Sequence, residues 1–302
     1  MKATAKRPIQ FIRRVSFLPL LCFASFAFAQ RPLIVDADTG NEVDDLFALA
    51  HILLSDDLEV TALNAAHWQT SHWAVANSME NSHRLNQQLL GEMGMDVPTL
   101  RGAPARMYDW GDRAQHSAAA YEIIRQARQG DSLEIIAMGA LTNLASAVFI
   151  APEIAPKLKI YWLGTTMDFE TGVMKRNDFN PLMDPFALDY LLESRADLHI
   201  IPLNVAVAME ISRERLDQEI GSTELGEYLI ARWEQHLDGS REKRILWDLA
   251  LVAAYAHPER ARQVEFTTSR DSGNRVIQVY DWIDAEAIYA DFFTAVRAFK
   301  KR

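Results

Sequence analysis

Among 302 residues there is a single cysteine, Cys22. It sits in an N-terminal stretch laid out like a secretory leader. A basic "MKATAKRPIQFIRR" without acids precedes the apolar "VSFLPLLCFASFAF", and small residues at Ala27 and Ala29 stand ahead of Gln30. Leu21, before the cysteine, is not the small residue that a lipid anchor needs. An ordinary signal peptide over 1–29 is therefore expected, with a periplasmic or secreted product. From Gln30 onward the chain then has no thiol, which excludes disulfides, thiolate metal sites and a cysteine nucleophile. No later apolar run approaches the roughly 20 residues that cross a bilayer, so no membrane association is expected after processing.

Positive charge is also scarce. Lys and Arg total 31 against 41 Asp and Glu, and five of the basic residues lie in the leader. Without it, the acidic excess widens from 10 to 15. An acidic chain without basic clusters is a poor partner for nucleic acid or anionic lipid, but suits a hard cation and small neutral substrates. Ser/Gly-rich linkers, repeats and low-complexity segments are missing too, so 30–302 is expected to form one catalytic domain.

What remains is an alternation of short apolar β-type runs with amphipathic helical ones. "PLIVDAD", "LEVTALNAA", "SLEIIAMG", "LKIYWLG", "LHIIPLNV" and "NRVIQVYD" read as strands. Helical spacing appears in "VDDLFALAHILLS", in residues 71–90, in "LTNLASAVFI", from Pro185 onward, and in "ILWDLALVAAYA" and "DAEAIYADFFTAVRAF". The pattern predicts an α/β fold, a mainly parallel central sheet flanked by helices. Ligands in such sheets bind at the carboxyl ends of the strands.

One such end is crowded with acid. In "LIVDADTGNEVDDLFALA", Asp36, Asp38, Glu42, Asp44 and Asp45 fall within ten positions between two apolar runs. Carboxylates from a strand end and a helix start can converge on a hard divalent cation, and Ca²⁺ takes about six to eight oxygen ligands. Helix capping is the alternative, with Asn41 as N-cap and Asp44 three residues on. A cap uses one or two of these acids and leaves Asp36 and Asp38 unexplained. A haloacid-dehalogenase-type phosphatase is a further alternative, although Gly40 stands where its Asp-x-Asp-x-Thr motif requires threonine.

The stretch resembles the N-terminal signature of the inosine-uridine-preferring nucleoside hydrolases, Asp-x-Asp-Pro-Gly-x-Asp-Asp, with two extra loop residues. "IIAMGALTNLASAV", "NDFNPLMDPFAL" and "LWDLALVAAYAHPE" resemble three further blocks of that family in the same order, and "DWIDAEAIYADFFTAV" resembles its last strand-to-helix unit. The resemblance implies a nucleoside-hydrolase-like fold and a Ca²⁺-dependent enzyme cleaving the N-glycosidic bond of ribonucleosides or related ribosides. It implies Asp38 as catalytic base and metal ligand, with Asp44, Asp45, Thr142 (through its carbonyl) and Asp248 completing the metal shell. It implies sugar contacts from Asp36, Asn180 and Asp178, the last where the family has Glu. Dimers or tetramers are common in the family, so a homo-oligomer is a further implication.

The sequence departs from the family around the base. Trp247 stands where many members have a histidine that protonates the leaving group. A tryptophan can stack on a base but cannot donate that proton. The cluster "HWQTSHW" offers His67, with Trp68, His72 and Trp73, to a base pocket, and His116 is a candidate replacement acid. The departures leave open a Ca²⁺-dependent nucleoside- or sugar-binding protein with impaired turnover.

Overall fold

The computed structural model describes residues 30–108 and 111–301. The expected leader, 1–29, lies outside them. Among the described residues twelve strands form: β1 (Arg31–Ala37), β2 (Leu58–Ala65), β3 (Thr99–Arg101), β4 (Leu133–Ala137), β5 (Leu158–Leu163) and β6 (Thr166–Asp168), then β7 (Val173–Lys175), β8 (Asp197–Ile201), β9 (Glu210–Ser212), β10 (Lys243–Ile245), β11 (Ala261–Thr267) and β12 (Val276–Ile283). The helices are α1 (Asp44–Leu53), α2 (Ser78–Met93), α3 (Ala118–Gln129), α4 (Thr142–Ile150), α5 (Phe179–Met183) and α6 (Pro185–Glu193), then α7 (Leu203–Ala206), α8 (Arg213–Ile220), α9 (Glu224–Gln235), α10 (Trp247–Ala256) and α11 (Ala285–Ala298).

Eight strands make one sheet in the order β11-β12-β8-β5-β4-β1-β2-β3, while β6–β7 and β9–β10 form separate two-stranded ribbons. Every neighbour pair in the large sheet is parallel except β11–β12. The mainly parallel α/β sheet read from the sequence is therefore the one observed. From β1 the chain runs outward through β2 and β3, then returns to β4 on the other side. The crevice between the carboxyl ends of β1 and β4 is a topological switch point, the usual ligand position in such sheets.

Helices cover both faces, so the inner strands are apolar without interruption. In β1, Leu33, Val35 and Ala37 join the core under α1, α9, α10 and α11, while Ile34 joins the opposite core under α3, α4 and α6. Asp36 shares the face of Ile34, by the two-residue period of a strand. Helix α10 lies inside the fold, with Leu249 to Ala254 at most 1% exposed, which is why "LALVAA" is apolar all round. Among the described residues no helix is long and apolar enough to cross a membrane.

Two differences from the sequence reading have local causes. The helix expected over 71–90 starts only at Ser78, because Asn77 adopts a left-handed conformation (φ 60°) and frees 71–77 to carry Trp73 inward. The strand expected through residue 205 stops at Ile201, where Pro202 has no N–H for the ladder and α7 begins.

Candidate active site

The turn after β1 closes with a hydrogen bond from Asn41 N–H to the Asp38 carbonyl (2.8 Å), and α1 follows at Asp44. Its N-cap position is Val43, without a side-chain cap, so Asn41 does not form the capping box considered from sequence. Helix α10 reaches the same point from the far end of the chain. Carboxylate oxygens of Asp44, Asp45 and Asp248, all buried, lie within 4.8 Å of one another. The two additional loop residues thus leave Asp44 in the cluster.

Asp38 sits beside this triad, its carboxylate against Gly139 at the end of β4. A Cβ on Gly139 would lie 2.7 Å from the Asp38 Cγ, so only glycine allows this approach. Burial, then the negative charges of Asp44 and Glu42, push the Asp38 carboxyl well above the ordinary carboxylate range. Asp45 is raised by burial and by Asp38, and Asp248 by burial and by Asp44. Oδ2 of Asp38 and Oδ1 of both Asp45 and Asp248 are buried without a hydrogen-bond partner. Buried carboxylates in that state are strongly unfavourable unless neutralised, and a divalent cation among them would satisfy all three. The residues present therefore fit a hard metal ion.

A cavity of about 180 Å³ opens onto the cluster. Its lining combines the acids Asp38, Glu42, Asp44, Asp45 and Asp248 with Met138, Leu163, Leu203, Phe179 and Trp247. Asp178 and Asn180 line it as well. Burial raises the Asp178 carboxyl to about 7. The Asn180 amide donates to the carbonyls of Met138 (2.8 Å) and Leu163 (2.9 Å), tying together the ends of β4 and β5. Trp247 is the first residue of α10 and half-buried, adjacent to Asp248.

Three expected site residues lie behind the cavity wall. Asp36 accepts from the Asn143 amide at 2.8 Å on the α4 side of the sheet, and burial lifts its carboxyl to about 7. Facing α4, it supports the floor and does not reach a sugar. Thr142 donates to Asp184 Oδ2 (2.6 Å), and the residue of that block that does line the cavity is Met138, at the end of β4. His67 is buried beneath, with Nε2 2.9 Å from the Thr142 hydroxyl, and burial lowers it to about 4. It is a neutral partner of Thr142 and is not placed to contact a base. Asp184 caps α6 through Ala187 N–H (3.0 Å), ahead of Pro185.

Of the aromatic cluster, Trp68 is buried and donates to Ser82, while Trp73 donates to Asn41 Oδ1 (3.0 Å) and stacks on Phe179 at 5.3 Å. His116 is exposed, between Tyr121 and Asp112. It does not line the cavity.

Glu42 was not singled out by sequence, since one glutamate in an acid-rich loop carries no pattern of its own. Burial, with Asp44, raises it to about 7 against the lowering influence of Arg244. The loop is braced by His236, whose Nε2 lies 3.1 Å from the Asn41 carbonyl and whose Nδ1 meets Asp238 at 2.7 Å. Arg244 pairs with the same aspartate and lies over the Trp233 ring. Asn143 escaped notice as well. It holds Asp36, the Ala65 carbonyl and Ala103 N–H at once.

Comparison with known proteins agrees with this geometry. The sequence profile described as inosine-uridine preferring nucleoside hydrolase matches residues 33–290. A probable ribonucleoside hydrolase of Dictyostelium discoideum is 24% identical over 67% of this chain, which spans 58% of that protein's length. The non-specific ribonucleoside hydrolase RihC of Salmonella agona is 23% identical over 75% of this chain and 79% of its own. Among solved structures, the plant nucleoside hydrolase PpNRh1 superposes with a TM-score of 0.71 at 19% identity, covering 89% of this chain and all of that one. A purine-preferring ribonucleoside hydrolase from Gardnerella vaginalis gives 0.67 at 21% identity, covering 89% and 99%. The structural matches establish the shared fold. The profile, spanning nearly the whole described chain, decides the family and displaces the phosphatase alternative: this chain belongs to the inosine-uridine preferring nucleoside hydrolases.

Proposed function

We propose that this protein cleaves the N-glycosidic bond of ribonucleosides or related ribosides to free base and ribose, using a Ca²⁺ ion in the acid cluster. The observation that carries this reading is the convergence of unpartnered, buried carboxylate oxygens from Asp38, Asp45 and Asp248 at the switch point of a nucleoside-hydrolase sheet. An all-oxygen donor set favours a hard cation such as Ca²⁺ over zinc or copper. Asp38, Asp44, Asp45 and Asp248 would hold it, with the Met138 carbonyl in reach of the same cavity. A divalent cation there supplies positive charge that acidifies water and grips a sugar diol.

The chain's own groups supply the rest. As the C1′–N bond breaks and its electron pair passes to the base nitrogen, the sugar becomes oxocarbenium-like; water adds to the anomeric carbon and gives its proton to Asp38, yielding ribose. Asn180 and Asp178, which line the same cavity, orient sugar hydroxyls. Met138, Leu163 and Leu203 keep bulk water from it, which strengthens the electrostatics within. A panel of ribonucleosides incubated with Ca²⁺-loaded protein should release ribose. A silent panel, with Ca²⁺ binding shown by calorimetry, would count against the reading. Export to the periplasm or medium remains part of the proposal, checked by finding the processed chain outside the cytoplasm.

A further inference from the structure

A neutral purine or pyrimidine departs as an anion unless it is protonated, and few groups in the cavity can carry that proton. Among the described residues no histidine, lysine or arginine lines it. Asn180 commits its amide to the carbonyls of Met138 and Leu163. Asp38, Asp44, Asp45 and Asp248 form the cage, and a cation among them favours their ionised forms. Glu42 lies beside them. Burial, then Asp44, raises it, but Arg244 and His236 draw it down, and a cation in the cage draws it further. One acid of the lining is left, Asp178.

Asp178 stands at the N-cap position of α5 without capping it, and both of its oxygens are buried with no hydrogen-bond partner. Burial raises its carboxyl to about 7, offset only in part by the nearby backbone N–H groups of Thr165 and Asn180. Thr165 is itself strained. It is buried in the left-handed region at φ 70°, and its hydroxyl also lacks a partner. A β-branched residue adopts that conformation only where its surroundings impose it. Here they do: Gly164 N–H donates to the Ile201 carbonyl (3.2 Å) and Leu203 N–H to the Thr165 carbonyl (2.9 Å), both at the end of β8. Strained backbone is thus held beside a carboxyl that makes no structural hydrogen bond. Such an arrangement serves a ligand, not the fold.

We propose that Asp178 is the acid that protonates the departing base. The inference rests on the hydrolase reading above. A protonated carboxyl has one O–H to donate and keeps an acceptor oxygen, so a sugar contact and the proton transfer are compatible. As the C1′–N bond breaks, its electron pair passes to the base, and the Asp178 proton goes to a ring nitrogen, so the base leaves neutral. Water bonds to C1′ and its proton goes to Asp38. Asp178 ends as a carboxylate and Asp38 as an acid, and exchange with solvent restores both.

The test compares kcat of the Ca²⁺-loaded full chain for inosine, uridine and 4-nitrophenyl riboside, whose phenolate leaves without a proton. Asp178→Asn keeps the shape of the side chain and removes the acid. It should lower kcat for the nucleosides by about 10²–10⁴, with a loss at least about tenfold smaller for the nitrophenyl riboside. Glu42→Gln should not split the two classes. The wild-type chain gives a second measurement that needs no variant. Its nucleoside-to-nitrophenyl ratio should fall as pH rises through about 7, where Asp178 loses its proton, while titration of the cage acts on both substrates alike. Equal losses in Asp178→Asn, a split in Glu42→Gln instead, a ratio indifferent to pH, or cleavage of the nitrophenyl riboside alone would each overturn the inference and leave a ribosyl hydrolase standing. No ribose from any of the three would overturn both.

Discussion

The backbone N–H of Asp248 donates to Oδ2 of Asp44 at 3.2 Å, across 204 positions of sequence. Through it the N-termini of α10 and α1 meet, each presenting the positive end of its helix to the same carboxylates. That help is insufficient: burial still raises Asp44, Asp45 and Asp248 above their ordinary range. Two helix ends can stabilise part of the negative charge, and the proposed cation would offset the remainder.

Calcium should therefore stabilise the fold, by about 2.7 kcal/mol at a hundredfold excess over Kd. The effect should also depend on pH. Without the ion, Asp36, Glu42 and Asp178 titrate at about 7 in the folded chain, and Asp38, Asp45 and Asp248 well above their unfolded values. Groups whose folded pKa is raised contribute stability that is full below about pH 4 and is lost as pH rises through about 7. Urea unfolding with Ca²⁺ and with EDTA should show a gap that widens from pH 5 to 8. A gap independent of pH would contradict the cage.

Asp38→Asn should lower kcat for the best riboside by about 10²–10⁴, the usual contribution of a positioned base. Far-UV circular dichroism should stay native, because the change removes charge from an already crowded cluster. Retention of wild-type turnover would move the base to another residue.

Gly139→Ala tests how closely Asp38 must be held. The new methyl would fall 2.8 Å from the Asp38 Cβ and 3.0 Å from its Oδ1, so the carboxylate must shift. A displacement of the order of 1 Å costs about 10² in rate. The expected signature is a fall in kcat together with weaker Ca²⁺ binding by calorimetry; a silent substitution would show the contact to be unimportant.

On the opposite flank, His51 in α1 is buried with neither ring nitrogen hydrogen-bonded, 5.7 Å from the His257 ring and 6.0 Å from Phe292. Burial, then His257, lowers it to about 4, against the opposing influence of Asp291. A depressed histidine contributes stability that is complete above its unfolded value near 6.5 and is lost as pH falls toward 4. The amount is on the order of 3 kcal/mol. His51→Leu should flatten the loss of stability between pH 7.5 and 4.5 in urea titrations. An unchanged acid slope would place the acid-sensitive group elsewhere.

The acids that follow β1 were legible as a cluster from type and spacing, and Asp248 was reached through the family resemblance. Asp38, Asp44, Asp45 and Asp248 stand together in the structure, and the alternation of apolar runs led directly to the parallel sheet. The supporting layer was not legible, because its meaning depends on which strand ends adjoin. Asp36 and Asp38 are two apart and similar on paper. The strand's alternation sends Asp36 to Asn143, while Asp38, just past its end, faces the cavity. Thr142, implied by the resemblance as a carbonyl ligand, and His67, offered to the base pocket, lie together beneath the floor, with the Thr142 hydroxyl between His67 and Asp184. Gly139 and Met138 escaped notice because their part is played by a missing side chain and by a strand-end position.

The cage joins residues far apart in sequence, with Asp44 and Asp45 at the head of α1 and Asp248 at the head of α10. No fragment that ends before Asp248 or begins after Asp45 contains a complete set of ligands, so the ion would not template early steps of folding. It should act as a latch on a nearly finished structure, slowing unfolding while leaving the refolding rate almost untouched. For such a molecule, removal of calcium would shorten the lifetime of the native state more than it would impede its formation.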